Sequence, residues 1–190
     1  MKIYKIGIIG CGGIAQKMAA TLEKMKGVER YAVASRNQEK AEAFANKWGF
    51  TKAYGSYEEL ASDPEVDLIY IATPHAMHYD NAHMCIEKGK PVLCEKAFTA
   101  NARQAEDLLA FAKEKGVFIT EAIWTRYMPL SLKIQELLKE GVIGTPYTLS
   151  ANLSYPISNK ERIIRPELAG GALLDIGVYT LKLCSNGFRK

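Results

Sequence analysis

The sequence predicts an α/β protein with a doubly wound parallel sheet, followed by the start of an α/β domain with an open antiparallel sheet. From residue 3 to about 121, apolar strands alternate with amphipathic helices, which is typical of parallel sheets covered by helices. The first strand runs straight into a glycine-rich turn. The alternation breaks at "EAIWTRYMP". We therefore place one domain at residues 1–121 and a second, partial domain at 122–190.

The elements follow in order along the chain. Strands are predicted at residues 3–9, 31–35, near 52, 67–72, 91–94 and 117–121. Helices are predicted between them at 12–25, 38–48, after a capping box that starts at Ser56, 76–88 and 101–115. Beyond the boundary we expect a helix at 129–140, a long alternating strand at 146–155, and a helix with an apolar face of Leu174, Val178 and Leu181.

Composition and charge exclude several classes of protein. The chain has 190 residues, of which 48% are hydrophobic, which is ample for a core. Its net charge of +4 comes from interleaved acidic and basic residues, so we expect no nucleic-acid partner. The apolar start is too short to span a bilayer, and we expect no signal peptide or membrane segment. Reduced thiols and a cytoplasmic location are expected because no C-x-x-C pair occurs among Cys11, Cys85, Cys94 and Cys184.

A G-x-G-x-x-A motif lies between the first strand and the first helix, which is where the Rossmann fold binds a dinucleotide. Gly10 allows the turn, Gly12 allows a pyrophosphate to approach, and Ala15 keeps the helix close to the sheet. The free N–H groups of the helix start attract phosphate. A glycine turn that binds nothing is the alternative. The candidate cofactor residues here are Gly10, Gly12, Gly13, Ile14 and Ala15.

The second strand ends in Ser35 and Arg36, where an NAD site usually has an acidic residue. A carboxylate would repel a 2′-phosphate, whereas Ser35 can donate a hydrogen bond to it and the Arg36 guanidinium can pair with it. The sequence therefore favours NADP over NAD. The alternative is an ordinary solvated arginine at a helix start.

Three further strand ends, "IATPHAMH", "CEKAF" and "EAIWTRY", fall on the edge of the sheet where ligands bind. The segment "KPVLCEKAFTA" is unusual because its short apolar strand stops on Glu95 and Lys96. Taken alone, this pair is a solvated strand end. Its place on the ligand edge predicts instead that Lys96 lies beside a nicotinamide.

Six segments occur in order along the chain: "GIIGCGGIA", "ASRNQEKAEAFA", "KAYGSYEELASDPEVDLIYIATPHAMHYD", "LCEKAF", "EAIWTRYMP" and "GGALLDIGVY". Together they resemble the Gfo/Idh/MocA oxidoreductases, and within them the dihydrodiol dehydrogenase type, over nearly the whole chain to about residue 184. The resemblance implies a dinucleotide-binding domain, a second domain with a large open sheet, and hydride transfer between NAD(P) and a carbon bearing a hydroxyl.

The resemblance also implies roles for individual residues. Lys96 matches the lysine that holds the substrate hydroxyl beside the nicotinamide, next to Glu95. Asp175, Gly177 and Tyr179 match the Asp-x-Gly-x-His/Tyr helix, which makes Lys96, Asp175 and Tyr179 the candidate catalytic residues. The Thr-Pro-Asn-x-x-His turn adds three cofactor residues, which are Thr73, Pro74 and His78.

The chemistry of these residues agrees with the implied roles, and each role has a purely structural alternative. Asp175 and Tyr179 are four residues apart and share a helix face, and a phenol beside an ammonium is a plausible acid/base. The alternative is that they are only the polar flank of an amphipathic helix. Trp124 and Arg126 are candidate substrate contacts, and interdomain packing explains them about equally well.

A metal site is not expected. His75 and His78 are three residues apart, and His83 follows, but no carboxylate joins them at a familiar ligand spacing.

Two departures from the family pattern affect the functional hypothesis. Ala97 stands where the family has a proline after the lysine. The second domain has one predicted strand and the Asp/Tyr helix, and the chain then ends well short of the family's length, so we expect a truncated copy.

The hypothesis is an NADP-dependent oxidoreductase acting on CH–OH or CH–CH groups, with a polyol, sugar or cyclic vicinal diol as substrate. The alternatives are a nucleotide-binding remnant with little or no turnover and a scaffolding module. A homo-oligomer is expected for the full-length family.

Overall fold

The computed structural model of the protein describes residues 2–157 and 159–187, with side chains described to residue 185. The chain divides into two compact units at residues 1–121 and 122–190.

The first unit is built on a six-stranded sheet in which every strand is parallel to its neighbours. The strands are β1 (Tyr4–Ile9), β2 (Val28–Ala34), β3 (Lys52–Tyr54), β4 (Leu68–Ile71), β5 (Val92–Cys94) and β6 (Ile119–Glu121). Their order in the sheet is β3-β2-β1-β4-β5-β6, which is the Rossmann order. The predicted doubly wound parallel sheet is confirmed.

Five helices connect these strands. They are α1 (Gly13–Leu22), α2 (Gln38–Trp48), α3 (Tyr57–Ser62), α4 (His78–Glu87) and α5 (Ala102–Lys115), with a 3-10 turn at His75–Met77. Three of them begin at a side-chain cap, because Asn37, Ser56 and Asn101 each accept a hydrogen bond from a backbone N–H three residues later. Such caps stabilise a helix by about 1 kcal/mol each. The Ser56 cap confirms the predicted helix start.

The core lies on both faces of the sheet. Ile69 and Ile71 of β4 contact Val92 and Cys94 of β5 within one buried apolar cluster. Strands buried on both faces read as continuous apolar runs, and this explains "DLIYIA" and "PVLC". Burying each large aliphatic side chain contributes about 1.5–3 kcal/mol.

The strand order reverses between β1 and β4, the two central strands. β1 leads towards β2 and β3, whereas β4 leads towards β5 and β6. Ligands of such sheets bind beyond the carboxyl ends of the strands at this point. The ends of β1, β2, β4 and β5 therefore form the region where a ligand is expected.

The second unit has short helical elements and few buried side chains. They are a 3-10 turn (Trp124–Tyr127), α6 (Pro129–Lys139), α7 (Glu161–Ile164), a 3-10 turn (Pro166–Leu168), a π turn (Leu173–Gly177) and α8 (Val178–Gly187). Among the described residues of this unit, Ile123 is the one buried apolar side chain. The predicted apolar face of the last helix is divided, because Leu174 lies in the π turn and Val178 and Leu181 lie in α8.

The strand predicted at 146–155 does not form, and the start of an antiparallel sheet is absent from the described residues. The alternating pattern itself is retained, since Leu149, Ala151 and Leu153 are half-buried and the polar residues between them are exposed. A strand also needs a neighbouring edge for its backbone hydrogen bonds. No described segment of this unit pairs with residues 146–155, so alternation alone gives no strand.

One segment, Pro166–Ser185, is long and apolar enough to cross a membrane by length and composition alone. This is weak evidence for a membrane helix. The segment is divided among a 3-10 turn, a π turn and α8, and Gly171 between them has φ 117°. Irregular backbone exposed to lipid is costly because its polar groups find no partners there. The absence of membrane contact stays a prediction.

Candidate functional site

The turn after β1 requires glycine at Gly10. This residue has φ 99°, and a Cβ atom there would lie 2.8 Å from the carbonyl oxygen of Ala72 at the end of β4. Its N–H donates to the Ala34 carbonyl at the end of β2, at 2.9 Å. Gly10 therefore holds the ends of three strands close together, as the motif predicts.

Gly12 and Gly13 form an open cradle at the start of α1. A Cβ atom on either would meet nothing within 4 Å, so the free space is not needed for packing within the protein. Gly12 caps α1 without a side-chain hydrogen bond, and the first turn holds no acidic residue. Ile14 is exposed, whereas Ala15 is fully buried. The uncapped N–H groups and the helix dipole fit the pyrophosphate of a dinucleotide.

Ser35 and Arg36 lie at the end of β2. Ser35 is buried, and its Oγ accepts a hydrogen bond from the Asn37 N–H at 3.3 Å, whereas Arg36 is exposed. Burial raises the pKa of the Tyr57 hydroxyl, and the charge and hydrogen bond of Arg36 oppose this rise. Arg36 therefore lies against the first residue of α3.

The sequence reasoning missed two residues beside this pair, Lys40 and Tyr57. Burial raises the pKa of the Cys11 thiol, and the charge of Lys40 and a hydrogen bond with Ser35 oppose the rise. Lys40 thus brings a positive charge near Cys11, which in turn contacts Ser35. Its spacing of four residues from Arg36 at a helix start was a usable signal. Nothing in the sequence indicated Tyr57, which comes from α3.

His78 connects the ends of β4 and β5. Its Nδ1 lies 2.7 Å from the Ala97 carbonyl oxygen and its Nε2 lies 2.9 Å from that of Thr73. The Thr73 hydroxyl in turn accepts a hydrogen bond from Asn81 at 3.0 Å. Both ring nitrogens of His78 contact protein carbonyls. This predicted cofactor residue therefore holds the segments after β4 and β5 together. Pro74 lies between, at the start of the 3-10 turn.

The charge of His78 is decided by burial. Two carbonyl acceptors favour the doubly protonated ring, but burial is the larger effect and lowers the pKa of His78 to about 4.

The other two histidines do not converge with His78 on a common centre. His75 meets His78 edge to face at 5.7 Å, and His83 stacks on Phe111 at 4.1 Å. The described residues hold no group of three metal-ligating side chains.

Glu95 and Lys96 follow β5 directly. Glu95 is buried, accepts a hydrogen bond from the Tyr70 hydroxyl, and accepts a second from the backbone N–H of Lys96 at 3.1 Å. Lys96 is half-buried and is joined to Ala97 by a cis peptide bond. The carboxylate of this pair thus has protein partners, and Lys96 follows it at the carboxyl end of β5.

In the second unit, Trp124 and Tyr179 come together. The Trp124 indole N–H donates to the Tyr179 hydroxyl at 3.0 Å, and the rings meet edge to face at 6.1 Å. The Arg126 side chain is half-buried, and its Nε has no hydrogen-bond partner among the described residues.

Asp175 is buried and pairs with the Arg162 guanidinium at 3.2 Å, a partner that the sequence reasoning missed. Gly177 is the last residue of the π turn. A Cβ atom there would lie 3.2 Å from a methyl group of Leu173, in the same π turn.

The structure thus places the predicted cofactor residues of the first unit at the carboxyl-terminal end of the sheet. They lie at the carboxyl ends of four strands: Gly10 to Ala15 after β1, Ser35 and Arg36 after β2, Thr73 and Pro74 after β4, and Glu95 and Lys96 after β5. The open glycine turn, Arg36 and Lys96 occupy the positions where a Rossmann domain holds a dinucleotide. Fold and site together define a Rossmann domain of the dinucleotide-binding type, followed by a second domain.

Comparison with known proteins assigns both domains to one family. Residues 4–122 match the family profile described as "Oxidoreductase family, NAD-binding Rossmann fold", and residues 131–189 match the "GFO/IDH/MocA C-terminal domain". The chain belongs to the Gfo/Idh/MocA oxidoreductase family.

Two curated relatives are similar over almost the whole chain. A D-xylose 1-dehydrogenase (NADP(+)) from Hypocrea jecorina is 44% identical over 93% of this chain and 51% of its own length. A trans-1,2-dihydrobenzene-1,2-diol dehydrogenase from Xenopus tropicalis is 40% identical, over 97% and 56%. The chain therefore spans about half the length of these relatives.

Solved structures agree with this assignment. A 3-ketoreductase from Actinomadura kijaniata, in complex with NADP, superposes with a TM-score of 0.84 at 31% identity and covers 97% of this chain and 55% of its own. An NAD binding oxidoreductase from Klebsiella pneumoniae gives 0.82 at 31% identity, over 96% and 52%.

Proposed function

We propose that the protein is an NADP-dependent oxidoreductase that transfers hydride between the cofactor and a hydroxyl-bearing carbon of a sugar, polyol or cyclic vicinal diol. The observation that carries the proposal is the replacement of an acidic residue by Ser35 and Arg36 at the end of β2, beside the open cradle of Gly12 and Gly13. The NADP named for the Hypocrea jecorina and Actinomadura kijaniata relatives supports it.

Different residues of the first unit would bind different parts of the cofactor. The start of α1 would hold the pyrophosphate, while Ser35, Arg36 and Lys40 would hold the 2′-phosphate through charge-assisted hydrogen bonds. The Tyr57 ring beside Arg36 would extend this pocket. NADP, when bound, supplies the carbon that accepts or donates hydride.

The chain's own side chains would handle the substrate. Lys96 would hold the substrate hydroxyl on the ligand edge, and Tyr179 would exchange the hydroxyl proton. In the second unit Trp124 would keep the Tyr179 hydroxyl oriented, and Arg162 would hold the buried Asp175 side chain in place. Arg126 remains a candidate substrate contact. The sugar and diol dehydrogenases among the relatives support a small substrate that bears a hydroxyl.

A screen of NADP⁺ reduction tests this function. D-xylose, other aldoses, inositols and a cyclic trans-diol are offered to the chain, to Lys96→Met and to Lys113→Met, which removes an exposed lysine of α5. We expect reduction with at least one substrate, a loss of about 10²-fold or more in Lys96→Met, and no loss in Lys113→Met. Full activity in Lys96→Met would refute the assigned role.

A second candidate function is cofactor binding without turnover. It is favoured by the contrast between the complete sheet of the first unit and the second unit, where Ile123 is the one buried apolar side chain among the described residues. Tight NADPH binding with no reduction of NADP⁺ by any substrate in the screen would support it.

Three finer points belong to the same proposal. The alternation of half-buried Leu149, Ala151 and Leu153 supports a strand that forms once an antiparallel neighbour is available. Homo-oligomer formation through such a sheet is part of the proposal for the full-length relatives. A cytoplasmic location is supported by the four free cysteines.

A further inference from the structure

We propose that Tyr70 is a positioning residue for Lys96, because its hydroxyl holds the Glu95 carboxylate in the orientation in which that carboxylate binds the Lys96 backbone N–H. The inference rests on the proposed function for the role of Lys96, and it concerns a residue to which the sequence motifs give no part.

The strand register brings Tyr70 and Glu95 to the same face of the sheet. Tyr70 of β4 pairs with Leu93 of β5, and Glu95 follows Leu93 by two residues. Side chains two residues apart on a strand share a face. Ile69 and Ile71, the neighbours of Tyr70, contribute to the apolar cluster on the opposite face. The phenol of Tyr70 therefore extends along β5 towards its carboxyl end, which Glu95 and Lys96 follow.

Both oxygens of the Glu95 carboxylate are bound. Oε1 accepts from the Tyr70 hydroxyl, and Oε2 accepts from the Lys96 N–H at 3.1 Å. Glu95 is 8% exposed and Tyr70 is 2% exposed, so water cannot easily replace either contact. A carboxylate fixed at both oxygens cannot rotate without breaking a buried hydrogen bond, which is unfavourable because the freed polar group finds no water. The backbone at Lys96 is thereby fixed relative to β4.

The charge of the carboxylate depends on the same contacts. Burial raises the pKa of Glu95, whereas the Tyr70 hydroxyl, the Lys96 N–H and the Lys96 charge lower it, and the charge of Glu121 raises it further. Cys94 is a further titratable neighbour that interacts with Glu95. Without the Tyr70 hydroxyl, burial is less opposed and Glu95 takes up a proton at a higher pH. A protonated Glu95 is a weaker acceptor for Lys96.

A purely structural reading explains the hydroxyl only as a buried group that needs a partner. Phenylalanine would fill the same space in this apolar strand and would need none. The two readings differ in what happens at Lys96 when the hydroxyl alone is removed.

Nuclear magnetic resonance of the full chain tests the proposal. The Lys96 amide shift is followed against pH in the unmodified protein, in Tyr70→Phe and in Tyr54→Phe. Tyr54 is the matched control, because its hydroxyl also donates to a carboxylate, that of Asp63 at 2.6 Å, on the outer strand β3. The pH midpoint of the Lys96 amide shift reports the titration of Glu95. We expect this midpoint to rise by about one to two pH units in Tyr70→Phe, as for the loss of a charge-assisted hydrogen bond. It should stay unchanged in Tyr54→Phe.

An unchanged midpoint in Tyr70→Phe, or an equal rise in Tyr54→Phe, would overturn the inference. If Tyr70→Phe does not fold, the Tyr70 ring signals of the unmodified protein are followed against pH instead. They should titrate with the same midpoint as the Lys96 amide, because both groups bind the Glu95 carboxylate, and both titrations should vanish in Glu95→Gln. Tyr70 signals that do not follow the midpoint of the Lys96 amide would overturn the inference.

NADPH binding is measured by fluorescence on the same samples. Failure of the unmodified chain to bind NADPH would contradict the proposed function, while the Lys96 titration would still decide the role of Tyr70.

Discussion

At the scale of single residues, Gly10 and Gly12 have different reasons to be glycine. In Gly10→Ala the new methyl group would meet the Ala72 carbonyl at 2.8 Å, and φ is 99°. We expect the free energy of unfolding to fall by about 1–3 kcal/mol or more. In Gly12→Ala the methyl group meets no protein atom within 4 Å, so stability should change little while NADPH affinity falls about tenfold or more, because the pyrophosphate needs that space.

Urea unfolding and NADPH titration of the two variants separate these effects. If Gly12→Ala bound NADPH as tightly as the unmodified chain, the glycine turn would not be the pyrophosphate site.

His78 makes stability depend on pH. Its pKa is lowered from 6.5 to about 4 in the folded protein, so between these values the unfolded chain takes up a proton that the folded chain refuses. Stability therefore falls as the pH falls from 6.5 to 4, by about 3 kcal/mol from this group. Urea midpoints measured between pH 7 and pH 4.5 should decline less steeply in His78→Asn than in the unmodified chain. Equal slopes in His78→Asn and in the unmodified chain would contradict this account of His78.

At the scale of elements, the two units should differ in hydrogen exchange. The amides of β1, β2, β4 and β5 lie in a paired and buried sheet, so they should exchange slowly. Residues 146–154 form no strand pairing in the structure and should exchange fast. Mass spectrometry of deuterated peptides reads out both regions at once. Slow exchange at 146–154 would show that this segment is paired, for example with a second copy of the chain.

The elements also show what sequence reasoning can and cannot reach. The apolar runs, the glycine turn and the cap at Ser56 are local signals, and all six strands of the parallel sheet appear close to their predicted positions. The strand at 146–155 failed because its alternation is local but its pairing is not. Tyr57, Tyr70 and Arg162 were missed for the same reason. Each acts on a residue brought near by folding, and no spacing along the chain indicates such a pair.

At the scale of the whole molecule, the proposed cofactor residues all belong to the first unit. They run from Gly10 to Lys96, within a complete six-stranded sheet. The proposed proton-transfer residue Tyr179 belongs to the second unit, where α6 exposes an apolar set of Leu130, Leu132, Ile134 and Leu137. Cofactor selectivity can therefore be measured on this chain independently of turnover.

Paired dissociation constants for NADPH and NADH test the central claim most directly. They are measured by fluorescence titration on the unmodified chain, on Arg36→Ala, and on Arg103→Ala, which removes an exposed arginine of α5. The account predicts tighter binding of NADPH than of NADH, and a loss of about 1–3 kcal/mol for NADPH alone in Arg36→Ala, with no change in Arg103→Ala. Equal affinities for the two cofactors in the unmodified chain would contradict it.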